Sequence, residues 1–354
     1  MLELNEEDGQ LVEPTYYIPI LPVLLINGSQ GIGTGWSTFI PPHNPRDLAQ
    51  YILHRLDSDK YDGLEEPLSP WVKGFEGEIN LRKDKHGYVT TGKVVRKGKT
   101  KLMVEELPVG RWTYQFKDHL ISLIEKGKIR SFKEKSSVSK PSYEIVGNRE
   151  QINKLSRSNL SKSLKLSTPL LTSNMHAFDG NGEMRKYEKA EEMLEEFIDL
   201  RLDLYDERKG RRVRELEFEV ERMSSKRRFI ELVVGGEIQL LSGTLSHSDL
   251  ERTVEEKFGN ELRSEEELLR MKRKIDGELK RNHNKDVEEM SLEGNKRYSY
   301  LFDQPLSHLT QDKMSELSQD EEKRKEELTS TLNLTKESMW EQELNQFLGK
   351  WKSK

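Results

Sequence analysis

Between Pro169 and Pro305 the chain contains no proline. Proline removes a backbone donor and clashes with the preceding turn, so a proline-free stretch of this length can sustain helices far longer than a globular average. Within it, apolar residues recur at three- and four-residue steps: Ala190, Leu194 and Phe197, then Val213, Leu216, Val220, Met223, Ile230 and Val233. That spacing predicts long amphipathic helices from about Tyr187 onward. A second helix is expected from about Gln311 to Leu332, and KESMWEQELNQFLGKW closes the chain with Met339, Trp340, Leu344, Phe347 and Trp351. Two long helices with material between them make an antiparallel arm. At 34% charged and 33% hydrophobic residues, the composition favours long solvated helices over one large core.

Upstream of Pro169 the pattern differs. Residues 1–12 read as a frayed acidic start. From Glu13 to Pro45, prolines at 14, 19, 22, 41, 42 and 45 and glycines at 28, 31, 33 and 35 leave only short extended pieces around a glycine loop. A helix follows over 47–56. The runs GEINLRK, GYVTTGKVVRK and KLMVEEL within 71–115 alternate as strands and predict one antiparallel sheet with a wet face. YQFKDHLISLIEKG is helical in period, and a mixed segment extends to about Lys165. The expected fold class is therefore α+β: a mixed β/α domain followed by a long helical arm. With no cysteine, disulfides, thiolate zinc sites and a cysteine nucleophile are excluded. The eight histidines show no metal-ligand spacing. Neither a membrane-spanning run nor a signal peptide is visible, so an intracellular, soluble chain is expected.

Charge is unevenly spread. Residues 71–140 hold 17 Lys and Arg against 8 Asp and Glu, whereas residues 1–70 hold 3 against 11. Arg82, Lys83, Lys85, Lys93, Arg96, Lys97, Lys99, Lys101 and Arg111 form either a solvated face or a track for a polyanion. Glu76, Glu78 and Asp84 carry no ligand spacing and read as a solvated sheet face, not a metal site. SSKRR at 224–228 reads as surface charge on a helix or as an import signal.

The segment NGSQGIGTGWS invites a phosphate-binding reading, but it is neither G-x-G-x-x-G nor a Walker A loop, and no Lys-Ser/Thr pair follows. A structural turn is the plainer reading. Ile32, flanked by Gly31 and Gly33, is either a core residue or an exposed apolar wedge that enters a base step and bends a duplex.

The run from Glu13 to Pro45, EPTYYIPILPVLLINGSQGIGTGWSTFIPPHNP, closely resembles a segment of the eukaryotic-type type IIA DNA topoisomerases, with Thr15-Tyr16 where the family has a variable residue and Trp. ELPVGRWT at 106–113 resembles the family's tower region. SNMHAFDGNGEMRKYEKAEEMLEEFIDLRLDLYDERK resembles the lead-in to its coiled-coil arm, and YLFDQPLSHLTQDKMSEL with the Trp340 segment resembles the returning arm and exit gate. The resemblance implies three parts: 1–45, the end of a winged-helix region with a DNA-intercalating loop; 46–175, a tower-like DNA-bending domain; and 176–354, a coiled-coil arm and dimerisation gate in which apolar residues near the arm tip and Leu301 to Leu309 hold the gate closed. It implies that Ile32 intercalates, that Gly31, Gly33 and Thr34 shape its tip, that Asn27, Gly28, Ser29 and Gln30 lie near the DNA backbone, and that Lys93, Arg96, Lys97 and Lys99 contact phosphates.

Catalysis in this family requires a tyrosine nucleophile, a neighbouring arginine and an acidic Toprim cluster holding divalent metal. None is recognisable here. The dipeptide Arg297-Tyr298 falls beside the exit-gate match and reads as an ordinary hinge or surface pair. No catalytic or metal-binding residue is therefore nominated, no cofactor is expected in this chain, and Mg2+ and ATP are implied only for the whole family protein. The expected partners are double-stranded DNA and a second protomer, as a homodimer or with a full-length relative, without a membrane and in the nucleus. Three functions remain open: part of an ATP-dependent topoisomerase, inactive by itself; a truncated non-catalytic paralogue or gene fragment that binds DNA and dimerises; or a coiled-coil interaction protein.

Overall fold

The computed structural model describes residues 4–7, 10–14, 17–61, 68–83, 87–137, 140–157, 160–238, 247–259, 261–277, 298–302, 305 and 310–351. The fold is mixed α/β, and the chain divides into two compact units, Pro19–Leu200 with Glu341–Lys354, and Met1–Ile18 with Arg201–Trp340.

Residues 4–7 and 10–14, read from sequence as part of a frayed start, are paired strands. Strands β1 (Leu4–Glu7) and β2 (Gln10–Pro14) form an antiparallel hairpin in which Glu7 faces Gln10. Its ladder uses backbone groups only, so the exposed Glu6 and Glu7 side chains do not oppose it.

In the first-named unit, helix α1 (Val23–Asn27) leads into the hairpin β3 (Ser29–Ile32) and β4 (Ser37–Ile40). Helix α2 (Pro45–Leu56) begins where expected. Asn44 caps it by accepting from the Arg46 N–H at 2.9 Å, Pro45 opens it, and Leu48, Ala49, Ile52 and Leu53 form its buried face.

The single sheet expected over 71–115 is two. Strands β5 (Glu78–Leu81) and β6 (Tyr88–Thr91) belong to one sheet, whereas β7 (Val94–Lys97) and β8 (Lys101–Val104) belong to another. The chain passes between them at Gly92, whose added Cβ would lie 2.3 Å from the Glu106 carbonyl oxygen. There the Gly92 N–H donates to Leu166 O and the Lys93 N–H to Glu106 O. The buried Glu106 carboxylate accepts from the N–H groups of Leu107 (3.0 Å) and Glu76 (3.3 Å), which ties down the junction.

Helix α3 (Thr113–Glu125), strands β9 (Ser131–Glu134) and β10 (Tyr143–Val146), and helices α4 (Arg149–Arg157) and α5 (Leu160–Ser163) come next. Strand β11 (Ser167–Leu170) completes the order β11-β6-β5, and the other sheet runs β7-β8-β10-β9, every pairing antiparallel. Leu102, Val104, Tyr143 and Ile145 face the core with Phe116 and Leu120 of α3 and Ile152 of α4. Lys101, Met103 and Glu144 alternate on the opposite face, the wet side expected from the strand pattern. A last hairpin, β12 (Met175–Phe178) and β13 (Met184–Tyr187), precedes helix α6 (Ala190–Val234). Glu195 of α6 accepts from Tyr51 Oη and Arg55 Nε of α2, each at 2.9 Å.

The second unit holds most of α6, which ends at Gly235-Gly236 with Gly236 at φ 78°. Helices α7 (His247–Phe258), α8 (Glu265–Gly277), α9 (Ser299–Phe302), α10 (Gln311–Asn333) and the start of α11 (Lys336–Lys350) follow it, and α11 from Glu341 onward belongs to the first-named unit. Phe229, Leu232, Ile238, Val254, Phe258, Leu262, Tyr298 and Leu301 make one core cluster at the end of α6. Tyr298 is thus a core residue, not a surface one, while Arg297 lies outside the described residues. Leu301 is fully buried in its own chain; of the stretch to Leu309, only Phe302 and Pro305 are also described.

Helices α6 and α10 run antiparallel, as the order of their cross-links shows. Lys209 Nζ reaches the carbonyls of Leu332 (2.9 Å) and Leu334 (2.6 Å), Arg212 reaches Glu327 (2.5 Å), Arg324 reaches Glu219 (3.0 Å), and Arg227 reaches Glu321 (2.7 Å). Lys209 sits where the dipole and the unpaired carbonyls at the end of α10 favour a cation. The apolar stripe read from sequence is only part of this seam, because the buried residues of α10 are Glu321 and Thr331. Arg227 and Arg228 of SSKRR are engaged with Glu321, Glu231 and Glu261, and Ser225 is buried, so the segment is a packed part of the helix.

Burial alone would raise the Glu321 carboxyl, but hydrogen bonds from Lys325 and Arg227 outweigh it and hold it below the ordinary range; Arg212 and then Arg324 lower Glu327 in the same way. Both folded values lie below the unfolded one, so their contribution is complete above about pH 4.3 and fades as pH falls through the folded values. Urea unfolding followed by far-UV circular dichroism is expected to show stability level from neutrality down to about pH 5 and falling below about pH 4. Glu321→Ala, which strands two cations, is expected to cost about 1–3 kcal/mol at neutral pH. Glu256→Ala, which breaks an exposed pair with Arg252, is expected to cost under about 0.5 kcal/mol.

Candidate nucleic-acid interface

The hairpin β3–β4 is anchored from below. Leu25 on α1 and Ile40 on β4 are both buried, and the His43 N–H donates to Leu25 O at 2.8 Å. Burial, the largest influence on the His43 imidazole, lowers its pKa below the ordinary value, so a neutral ring occupies this foot. Gly28 turns the chain from helix to strand at φ 68°, and a Cβ there would lie 2.6 Å from Ile40 O and 2.9 Å from Pro42 N. Only glycine fits that approach.

At the other end the pairing runs out at Ile32↔Ser37, and the Gly33 N–H closes the turn onto Trp36 O at 2.7 Å. Gly35, at φ 81°, supplies the left-handed residue of this turn, whereas Gly31 and Gly33 do not have positive φ. Ile32 ends the strand with its side chain 93% exposed. Around it, Asn27, Gln30, Gly31, Gly33 and Thr34 are exposed, and Gly28 and Ser29 are half-buried. Nothing lies within 4 Å of a Cβ added at Gly31, and the nearest atom at Gly33 is 3.8 Å away. The fold itself does not require glycine at either position.

A second hairpin, β12–β13, which the sequence marks only as a lead-in to the arm, lies alongside. The Phe39 N–H donates to Asn174 O (2.9 Å), Thr38 Oγ1 donates to His176 O (2.8 Å), and Thr38 Oγ1 accepts from the His176 N–H (3.1 Å). Trp36 and His176 meet edge to face at 5.3 Å. Between the hairpins opens a cleft of about 560 Å³, with Leu24, Ile32, Trp36, His176, Phe178 and Met184 on its walls. The signal for it was present in DGNG at 179–182, flanked by the alternating runs NMHAF and EMRKY.

The nominated cations lie elsewhere in the same unit, on β7, its approach and its turn. Lys93 pairs with Glu105 at 3.4 Å, and Arg96 is held by Gly98 O (3.0 Å) and Asn153 Oδ1 (2.7 Å). Lys97 and Lys99 are exposed and make no ion pair among the described residues. Lys101 pairs with Glu144 and Glu76 with Lys140, while Lys85 and Asp84 lie outside the described residues. Among the described residues no group of three His, Asp or Glu side chains could hold a metal ion, and no helix is long and apolar enough to cross a membrane.

These contacts separate the glycines of the loop. Gly28→Ala is expected to lower stability by about 2 kcal/mol or more, because strain at positive φ adds to a backbone clash. Gly31→Ala and Gly33→Ala are expected to change it by less than about 0.5 kcal/mol. Denaturant titration of the three variants checks this, and equal losses at all three positions would contradict the geometry.

The model of the DNA gyrase/topoisomerase IV A-subunit family matches residues 1–345. DNA topoisomerase 2 of Arabidopsis thaliana is 31% identical over 357 residues, an alignment covering 96% of this chain and 24% of that protein. The protein named DNA topoisomerase 2, mitochondrial, of Dictyostelium discoideum is 31% identical over 351 residues, covering 98% and 24%. Among solved structures, the Plasmodium falciparum topoisomerase II DNA-binding, cleavage and re-ligation domain matches with a TM-score of 0.73 at 30% identity, covering 98% of this chain and 46% of that one. The chain spans about a quarter of the length of these curated relatives. It belongs to the DNA gyrase/topoisomerase IV A-subunit family, among relatives that are eukaryotic type II DNA topoisomerases.

Proposed function

We propose that this chain binds and bends the duplex that a type II topoisomerase opens, with Ile32 as the wedge. The observation that carries this is a β-branched apolar side chain left 93% exposed at the end of a hairpin whose foot is fully buried. A fold that merely needed an isoleucine would bury it. An apolar side chain entering a base step costs a few kcal/mol of unstacking and gains a bent duplex that wraps more protein. The open Cβ positions at Gly31 and Gly33 leave room for a nucleic-acid backbone to approach, with Asn27 to Gln30 and Thr34 alongside. Lys97 and Lys99, supported by Arg96 and Lys93, supply sequence-independent phosphate contacts.

In this reading residues 1–45 carry the wedge, 46–175 form the tower, and 176–354 form the coiled-coil arm and exit gate of a dimer. The antiparallel helix pair α6–α10 supports that last assignment. The activity belongs to the whole family protein, an ATP-dependent isomerase acting in the nucleus; relatives in Dictyostelium discoideum and Caenorhabditis elegans carry mitochondrial names. The same geometry would serve a non-catalytic relative that bends DNA and dimerises.

Fluorescence transfer across an end-labelled duplex, taken through a salt series, tests the proposal. The chain is expected to bind the duplex with steep salt dependence and to bend it, and Ile32→Ala to lose the bend while keeping most of the salt slope. Lys97→Ala with Lys99→Ala is expected to reduce that slope by roughly 1 to 2 with the bend angle unchanged. A bend unaffected by Ile32→Ala would overturn the wedge. With ATP and magnesium, the purified chain is expected to leave supercoiled plasmid unrelaxed. Relaxation would sink the non-catalytic reading and reveal a nucleophile within this sequence.

A further inference from the structure

The hairpin β12–β13 has no part in the wedge proposed for Ile32, yet its outer end mirrors that of β3–β4. Phe178↔Met184 is its last pair before the turn, as Ile32↔Ser37 is on its neighbour. Phe178 is 69% exposed and Met184 42%, and across the cleft Trp36 is 55% exposed. Ile32, Trp36, Phe178 and Met184 line one cleft, so both tips lie at the same mouth. Among the described residues no Asp, Glu, Lys or Arg side chain lines it, although a third of this chain is charged.

The second tip is as firmly set as the first. The Asp179 carboxylate accepts from the N–H groups of Asn181 and Glu183, each at 2.9 Å, and so is folded back into the turn. Glu196 on α6 accepts from the Gly180 N–H at one end of the hairpin and from Tyr187 Oη at the other, each at 2.9 Å. Thr38 bridges the two hairpins from the side. An aromatic ring is thereby presented to solvent from a braced support, an arrangement that preorganises it for a partner.

We propose that Phe178 is a second inserting side chain, entering the same distorted stretch of duplex as Ile32, with Met184 and Trp36 covering the base edges opened between them. The inference rests on the wedge role proposed for Ile32. Duplex DNA is the occupant because Phe178 and Ile32 line the same cleft, and whatever receives Ile32 lies over its mouth. Phenylalanine, isoleucine and methionine are side-chain types that enter unstacked base steps, and stacking on an aromatic ring tolerates any base.

The test uses the full chain and short duplexes carrying 2-aminopurine at successive positions, whose fluorescence rises where stacking is lost. Wild type is expected to give two sites of raised fluorescence. Ile32→Ala is expected to remove one, and Phe178→Ala the other, with affinity weakened about five- to tenfold, the low end of what base-aromatic stacking contributes. Phe178→Leu, which keeps an apolar wedge, is expected to retain most of the second signal. The salt slope should stay as in wild type for both Phe178 variants, because no charge is touched. Thermal unfolding of Phe178→Ala should match wild type, given the exposure of the side chain. If Phe178→Ala keeps the wild-type fluorescence profile and affinity while Ile32→Ala loses its site, the second wedge is wrong and the first stands. If no site depends on Ile32, the underlying reading falls and this one with it.

Discussion

The close packing of Gly28 against Ile40 and Pro42 is the constraint on which the exposed end of the molecule depends. A wedge works only if the force of insertion is carried into something that does not yield. Leu25 and Ile40 bury the foot of the β3–β4 hairpin, the His43 N–H closes onto Leu25, and Gly28 lets helix and strand meet without a side chain between them. Loosening that contact would cost little apolar area but would let the hairpin swing. Rigidity at the foot and exposure at the tip are therefore one design, since an exposed isoleucine on a loose loop would fold back onto the nearest apolar surface.

Much of this was legible in the sequence where local chemistry decides structure. Proline and glycine spacing announced a broken segment before Pro45, though not the short helix α1 within it, and apolar spacing over 47–56 announced α2, which the Asn44 cap and Pro45 start two residues earlier. The proline-free stretch announced α6, and the helix read from about Gln311 to Leu332 is α10. What was illegible depended on partners distant in the chain. Alternation in 71–115 identified strands but could not show that Gly92 hands them from one sheet to another, because that depends on Glu106 and Leu166. Acidic residues at 4–14 masked a hairpin whose ladder is indifferent to side-chain charge. The glycine loop of β3–β4 was singled out by resemblance, while its neighbour β12–β13 read only as the approach to the long helix α6; the Thr38–His176 contact is the observation that joins the two hairpins.

The helix pair of the second unit shows why composition alone misleads about stability. A chain with a third of its residues charged looks as though it holds itself together poorly, yet α6 and α10 spend much of that charge on each other. Exposed pairs of this kind contribute little individually, and long side chains lose entropy in making them. Glu321 differs, being nearly enclosed and satisfied from two sides by Arg227 and Lys325. A buried ion pair is at least as much a device for register as for stability, because sliding one helix past the other would leave a desolvated carboxylate without a partner. The seam is thus specified by charge and reinforced by apolar contact, the reverse of what periodicity alone implies.

The same separation of roles carries over to the proposed DNA interface. Lys97 and Lys99, which make no ion pair among the described residues, stand at the end of β7 and in the turn after it, whereas no Lys, Arg, Asp or Glu among the described residues lines the cleft between the two hairpins. Phosphate attraction is long-ranged and screened by salt, and it treats every sequence alike. Apolar insertion is short-ranged and nearly indifferent to salt, and its cost depends on how easily a given base step opens. A surface that mixed the two would tie bending to ionic strength. Keeping them on different elements lets affinity be set by the cations and the site of bending by the deformability of the duplex, so sequence preference would arise at base steps that no side chain reads directly.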